Sequence, residues 1–157
     1  MKIDFVNKSA FKLKRVIKRS IQETFEFLKQ EHKNLEVCVI FLNEQEMKDL
    51  NNRTRQIDRV TDVLSYPCFE IKAGENLELE LQAGGKYVHL GDMAICLPQA
   101  QRQADEFQTS LSQEISKLAV HSTLHLMGYD HIKDEDYDKM HPIEESVEVI
   151  LKKKGII

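Results

Sequence analysis

No stretch of this 157-residue chain approaches 18 uninterrupted apolar residues, so the sequence offers no membrane-spanning helix. A secretory leader is missing as well. MKIDFVNKSAFKLKR alternates apolar and polar residues instead of running into an apolar block, and the expected address is the cytoplasm. Only three cysteines occur, Cys38, Cys68 and Cys96, with no C-x-x-C pair among them. An odd, scattered set argues against a disulfide framework. Each lies in or beside an apolar, strand-like run, which predicts buried reduced thiols. Cationic excess is absent too: 22 Lys and Arg stand against 26 Asp and Glu, a net charge of -4. A nucleic-acid partner would have to be met by a local basic patch. No repeat, linker or low-complexity tract interrupts the chain. Its 41% hydrophobic content supplies one core, so residues 1–157 are expected to form a single domain.

The patterning predicts an α+β fold, a small mixed β-sheet covered by helices. Lys2 to Val6 alternates like a strand. From Phe11 to Leu28 the apolar spacing becomes helical, with Leu13, Val16, Ile17, Ile21, Thr24, Phe25 and Leu28 on one stripe. Leu35 to Leu42 (LEVCVIFL) reads as a buried strand. Asn43 with Glu46 predicts a capped helix over 44–51. Arg53 to Arg59 carries three arginines and little periodicity, and reads as a loop. Val60 to Tyr66 predicts a strand stopped by Pro67, and Val88 to Leu97 is the last clear strand. Between them, 70–87 surrounds an acidic NLELELQ tract with three glycines, an edge hairpin or an excursion. Pro98 suits the first turn of a helix running to Phe107, and Ser110 with Gln113 predicts a capping box for another ending at Gly128. A last helix starts near Asp134 and buries Met140, Ile143, Val147, Ile150 and Leu151; Pro142 is expected to break or kink it.

The segment that carries chemistry is AVHSTLHLMGYDH, residues 119–131. His121 and His125 fall four apart on a predicted helix, so their rings share one face. Two imidazoles so placed reach one ion at roughly 2.0–2.1 Å each. Gly128 suits the left-handed residue that ends the helix, and His131 arrives after the turn as a third ligand. Three neutral imidazoles leave zinc one open position, as in catalytic sites; structural sites are closed by four protein ligands. Leaving both helix histidines buried without a partner would cost roughly 1–3 kcal/mol each, which a shared ion removes. The other histidines, His32, His89 and His141, lack this context and are assigned surface or structural roles. The spacing H-x-x-x-H-x-x-G-x-x-H matches that of metzincin proteases, which place a glutamate general base directly after the first histidine. Here that position is Ser122, which cannot serve as a base near neutral pH.

In this segment and two others the chain resembles the YbeY family of bacterial rRNA-maturation endoribonucleases. The family signature H-G-x-L-H-L-x-G-Y-D-H is met by His121, Leu124, His125, Leu126, Gly128, Tyr129, Asp130 and His131. A second block is similar at Leu50, Asn51, Arg55, Asp58, Thr61, Asp62, Val63, Leu64 and Ser65, and a third at Gly91, Asp92 and Met93. Ser122 departs from the usual Gly, Tyr66 from the usual Phe, and the 70–87 segment is longer than expected. The resemblance implies a zinc-dependent, single-strand-specific endoribonuclease acting in ribosomal RNA maturation at the small-subunit rRNA 3′ end and in ribosome quality control. It implies a zincin-like sheet with a metal-binding helix in the C-terminal third. The implied cofactor is one zinc ion on His121, His125 and His131. The implied partners are ribosomal RNA and the small ribosomal subunit, with neither DNA nor membrane.

Phosphodiester cleavage builds negative charge on the phosphate and needs a cation beside it. On the residues alone, Arg53, Arg55 and Arg59 read as solvated loop charges. The resemblance singles out Arg55 as the catalytic cation, because its family counterpart lines the cleft and a guanidinium fork fits phosphate oxygens. Two other classes are compatible with the histidines: a zinc metallopeptidase or other zinc hydrolase with its base elsewhere, and a noncatalytic ribosome-binding zinc module closed by a fourth ligand.

Overall fold

The computed structural model describes residues 1–6, 11–77, 85–130 and 134–157. Among the described residues four strands and five helices follow one another, the last three elements all helical: β1 (Lys2–Val6), α1 (Phe11–Phe27), β2 (Leu35–Leu42), α2 (Glu44–Arg55), β3 (Val63–Pro67), β4 (Val88–Cys96), α3 (Leu97–Glu106), α4 (Leu111–Leu126) and α5 (Asp134–Lys153). The strands form one mixed sheet in the order β1-β2-β4-β3. β1, β2 and β4 run parallel, and β3 closes one edge antiparallel to β4. Parallel neighbours cannot be joined by a tight turn, and α1 makes the crossover between β1 and β2.

Each strand's alternation chooses its faces. On β2, Leu35, Val37, Val39 and Phe41 point into the main core, where Ile17, Ile21 and Phe25 of α1 and Ile115 and Ala119 of α4 meet them. On the opposite face Met47 of α2 packs with Leu64, Ala94 and Cys96. Farther from α2 that face is polar, and Lys2 bridges Asp4 at 2.6 Å and Glu36 at 2.8 Å.

Strand β4 changes phase midway. Its register with β2 slips between Glu36 and Val37, so that His89 pairs with Glu36 but Gly91 with Val37. The extra residue is Leu90, and this bulge lets Leu90 and Met93, three apart, both face the main core. Gly91 holds φ 153° there, and a Cβ on it would strike the Tyr66 carbonyl and the Leu126 side chain.

Helix α4 lies between sheet and outer helices. Ser20 of α1 and Ser116 of α4, both buried, join hydroxyls at 2.8 Å where those helices cross. On its other flank Val120 and Leu124 pack against Met140, Val147 and Leu151 of α5. The end of α5 returns to α1, where Lys154 Nζ donates to both oxygens of buried Glu23 at 2.6–2.7 Å.

Both expected capping boxes are present. Asn43 accepts from the Glu46 backbone and Ser110 from that of Gln113, with the reciprocal bonds returned. Four expectations are corrected. Helix α2 runs on through Arg53 to Arg55; Asn52 to Arg55 are exposed, so no apolar stripe marks them, and the helix ends at Gln56 with φ 59°. Strand β3 begins at Val63, not Val60, because the Asp62 carboxylate takes the Val63 N–H and the Thr61 hydroxyl. Pro67 belongs to it, which an edge strand permits. Helix α5 continues through Pro142, which is exposed, so water can meet the carbonyl its missing N–H leaves open. Of the thiols only Cys96 is buried; Cys38 is half-buried on the polar sheet face and Cys68 is exposed just past the edge strand. The tract between β3 and β4 contributes no strand over 70–77 or 85–87, and residues 78–84 lie outside the described ones. Among the described residues no helix is long and apolar enough to cross a membrane.

The turn after α4 is fixed by a close approach. Gly128 holds φ 81°, and a Cβ there would collide with the Ile71 carbonyl. Gly128→Ala therefore combines a left-handed strain of about 1–3 kcal/mol with backbone displacement. Its thermal midpoint should fall by several degrees, at roughly 2–4 °C per kcal/mol for a chain this size. Unchanged melting would show that the 71–72 backbone yields freely.

Candidate active site

From Glu114 to Leu126, helix α4 is buried at every position except Lys117, His121 and His125. These are four apart, so they form one stripe along the helix. The buried remainder of the helix thus dictates where the two imidazoles go: toward the stripe that the packing of the described residues leaves open.

The rings converge. His121 Nε2 and His125 Nε2 stand 3.0 Å apart, with centroids at 4.5 Å and planes 79° from parallel. On its other side, His121 Nδ1 lies 2.7 Å from Glu144 Oε1 of α5. A carboxylate only accepts, so Nδ1 of the neutral ring carries the proton and Nε2 keeps its lone pair toward His125. Nitrogens so aimed fit a borderline-soft cation that takes imidazole. The third expected ligand, His131, lies outside the described residues. Among the described residues no group of three or more His, Cys, Asp or Glu forms a ligand set.

The two histidines open into a cleft of about 740 Å³, lined by Arg55, Arg59, Thr61, Asp62, Ser65 and Tyr129 among others. Arg55 is the last residue of α2, and its Nη2 reaches to 3.5 Å from the Ser65 carbonyl. Packing therefore brings it to the same cleft as His121 and His125. Arg59 joins it, while Arg53 and the α1 cations Lys14, Arg15 and Lys18 are not among the lining residues. The rest of that segment builds the rim. Buried Asn51 holds the Arg59 carbonyl at 2.9 Å, and Asp62 is tied to α3 through Gln103 at 2.9 Å. Tyr129 closes the floor, and burial pushes its phenol up.

Ser122 is fully buried and accepts from the Ser65 hydroxyl at 2.8 Å, joining α4 to β3 directly beneath the cleft. The position that carries a glutamate in metzincins therefore faces inward here. Glu144 was missed in the sequence. Its only signal was a carboxylate on the apolar-striped last helix, 23 residues from His121. Of the histidines assigned surface or structural roles, His89 lies 2.9 Å from Asp92 on the polar sheet face. His141 is half-exposed, stacks on Tyr137 and lies 3.7 Å from Glu144.

A four-stranded mixed sheet, with a buried helix offering two convergent imidazoles to a cleft that also holds a guanidinium, defines an α+β protein with a histidine- and arginine-lined candidate active site. The family model described as Endoribonuclease YbeY matches residues 2–153, and the chain belongs to the YbeY family. Relatives of that name include one from Caldicellulosiruptor saccharolyticus, 40% identical over 86% of this chain and 84% of its own. Another, from Clostridium beijerinckii, is 39% identical over 87% of each chain. The solution structure of a Thermotoga maritima protein superposes with a TM-score of 0.57, at 25% identity over 99% of this chain and 93% of that one.

The Ser65–Ser122 bond yields a direct test. Ser65→Ala leaves the fully buried Ser122 hydroxyl without this partner and should destabilise by roughly 1–3 kcal/mol. Adding Ser122→Ala should recover part of that loss in a urea-unfolding double-mutant cycle. Fully additive losses would mean the two hydroxyls act independently.

Proposed function

We propose that this chain is a zinc-dependent, single-strand-specific endoribonuclease of ribosomal RNA maturation. Its proposed setting is the cytoplasm, with the small ribosomal subunit as partner and the 3′ end of its rRNA and ribosome quality control as its tasks. In this reading the scaffold is zincin-like, α4 is the metal-binding helix, and His121, His125 and His131 hold one ion. The observation that carries it is the meeting of the imidazole pair and the Arg55 guanidinium at one cleft. Curated relatives named Endoribonuclease YbeY across most of the chain support the substrate class.

The residues divide the work. Bound zinc supplies Lewis acidity toward a water or phosphoryl oxygen. Arg55, exposed at the helix end, offers a planar fork to the non-bridging oxygens and stabilises the charge that builds on them. Arg59, farther along the rim, suits a flanking phosphate. Buried Ser122, engaged by Ser65, supplies no carboxylate base where a metzincin needs one, which favours phosphodiester over peptide hydrolysis.

Two variants test the assignment. His125→Ala should lose bound zinc and melt lower than the zinc-loaded parent, since a ligand held only by the folded state stabilises it. Stoichiometric zinc with unchanged melting would rule that histidine out. Arg55→Ala should slow single-turnover cleavage of saturating single-stranded RNA far more than it weakens binding, because its contact strengthens in the transition state. Binding should weaken with salt, by roughly 0.7 log units per decade for each phosphate neutralised on a single strand. Parent-rate cleavage by Arg55→Ala would remove the arginine from the chemistry, and brisk hydrolysis of a generic peptide by the parent would replace the nuclease reading.

A further inference from the structure

A second, smaller cleft of about 370 Å³ lies on the far side of His121, walled by α4 and α5. Glu144 enters it from α5, and its carboxylate spends one oxygen on His121 Nδ1 at 2.7 Å. We propose that Glu144 is a positioning residue of the metal site, setting the tautomer and tilt of His121 so that Nε2 faces His125. The proposal rests on the zinc reading above and adds a residue to it from outside the histidine motif.

Three observations support the assignment. The bond is short and reaches the nitrogen that points away from His125, so the two faces of the ring have separate tasks. Fixing one ring nitrogen by an outer carboxylate holds the other as a lone-pair donor and raises its basicity. The carboxylate is itself placed by packing. The neighbouring turns of α5 put Met140 and Val147 against Val120 and Leu124, the residues that flank His121 on α4. Glu144 is 27% exposed, whereas Glu145, next in sequence, is 68% exposed and lies 3.4 Å from His141, its ion-pair partner among the described residues. A bare α4–α5 ion pair is the competing explanation, and it makes no demand on metal affinity.

The experiment titrates zinc into the metal-free protein against a chromophoric chelator, comparing the parent with Glu144→Ala, Glu144→Gln and Glu145→Gln. Loss of an outer-shell carboxylate should weaken zinc affinity by roughly 10–100-fold in Glu144→Ala. Glu144→Gln keeps the size and an accepting oxygen, so it should lose less, and Glu145→Gln should stay within about twofold of the parent on the same argument. Long-range ¹H–¹⁵N spectra of the metal-free parent should show His121 with its proton on Nδ1, a preference lost in Glu144→Ala. Parent-like affinity in Glu144→Ala would overturn the proposal, as would equal losses in all three variants, which signal net charge alone. A parent that binds no zinc would instead overturn the metal reading itself. If Glu144→Ala melts far below the metal-free parent, the near-isosteric Glu144→Gln decides: an intermediate affinity upholds the positioning role, and a parent-like affinity together with a parent-like His121 tautomer overturns it.

Discussion

The packing of α4 is the constraint on which the rest depends. A helix buried from Glu114 to Leu126 on all sides but one opens its side chains to a cleft along one stripe. The polar groups elsewhere on it, such as Ser116 and Ser122, must find partners inside the protein. Burying imidazoles among Leu, Ile and Val without partners is unfavourable by roughly 1–3 kcal/mol for each group. The fold accommodates them by leaving a gap over Lys117, His121 and His125 while α1, the sheet and α5 cover the remainder. The stability of the core and the orientation of the site are thus one problem with one solution.

Two backbone approaches hold that helix in place at its C-terminal end. The bulge at Leu90 and Gly91 brings the sheet against Leu126, and the Gly128 turn lets the 71–72 backbone pass where a side chain would otherwise stand. Tyr129, partly buried directly after that turn, lines the cleft and packs against the main core. The histidine pair therefore rests on a support fixed by main-chain contacts, which move less than side chains. Ser122 adds a further tie to β3 through Ser65, on the strand whose other residues form the cleft wall.

The two clefts around His121 differ in charge balance: the arginine-bearing one also holds Asp62 and Asp130, whereas in the other the carboxylates outnumber Lys117. Arg55 and Arg59 face one of them, and Glu144, Glu145 and Glu148 face the other. In a chain with a net charge of -4, Arg55 and Arg59 offset their acidic neighbours locally at the first cleft. The carboxylate that bonds His121 lies on the second cleft, on the side of the ring away from His125.

Periodicity in the sequence determined α1, β1 and β2, which bury one face and carry its imprint, while β4 was marked by a largely apolar run because it packs on both faces. Asn43 and Ser110 revealed two helix starts through local hydrogen bonds that need no tertiary partner. The same helical period put His121 and His125 on one face. Where no apolar face is buried the imprint vanishes, which is why the last turn of α2, and with it the position of Arg55 at a helix end, could not be read. Three things only the tertiary structure decided. Arg55 shares a cleft with the histidines because α2 docks on β3, with Met47 packed against Leu64 and the Thr54 and Tyr66 hydroxyls bonded at 2.9 Å. Ser122 points into the protein because β3 lies over it. Glu144 reaches His121 because α5 docks on Val120 and Leu124. Each is a contact between elements distant in sequence, and nothing in the order of residues within either element encodes the distance across their interface.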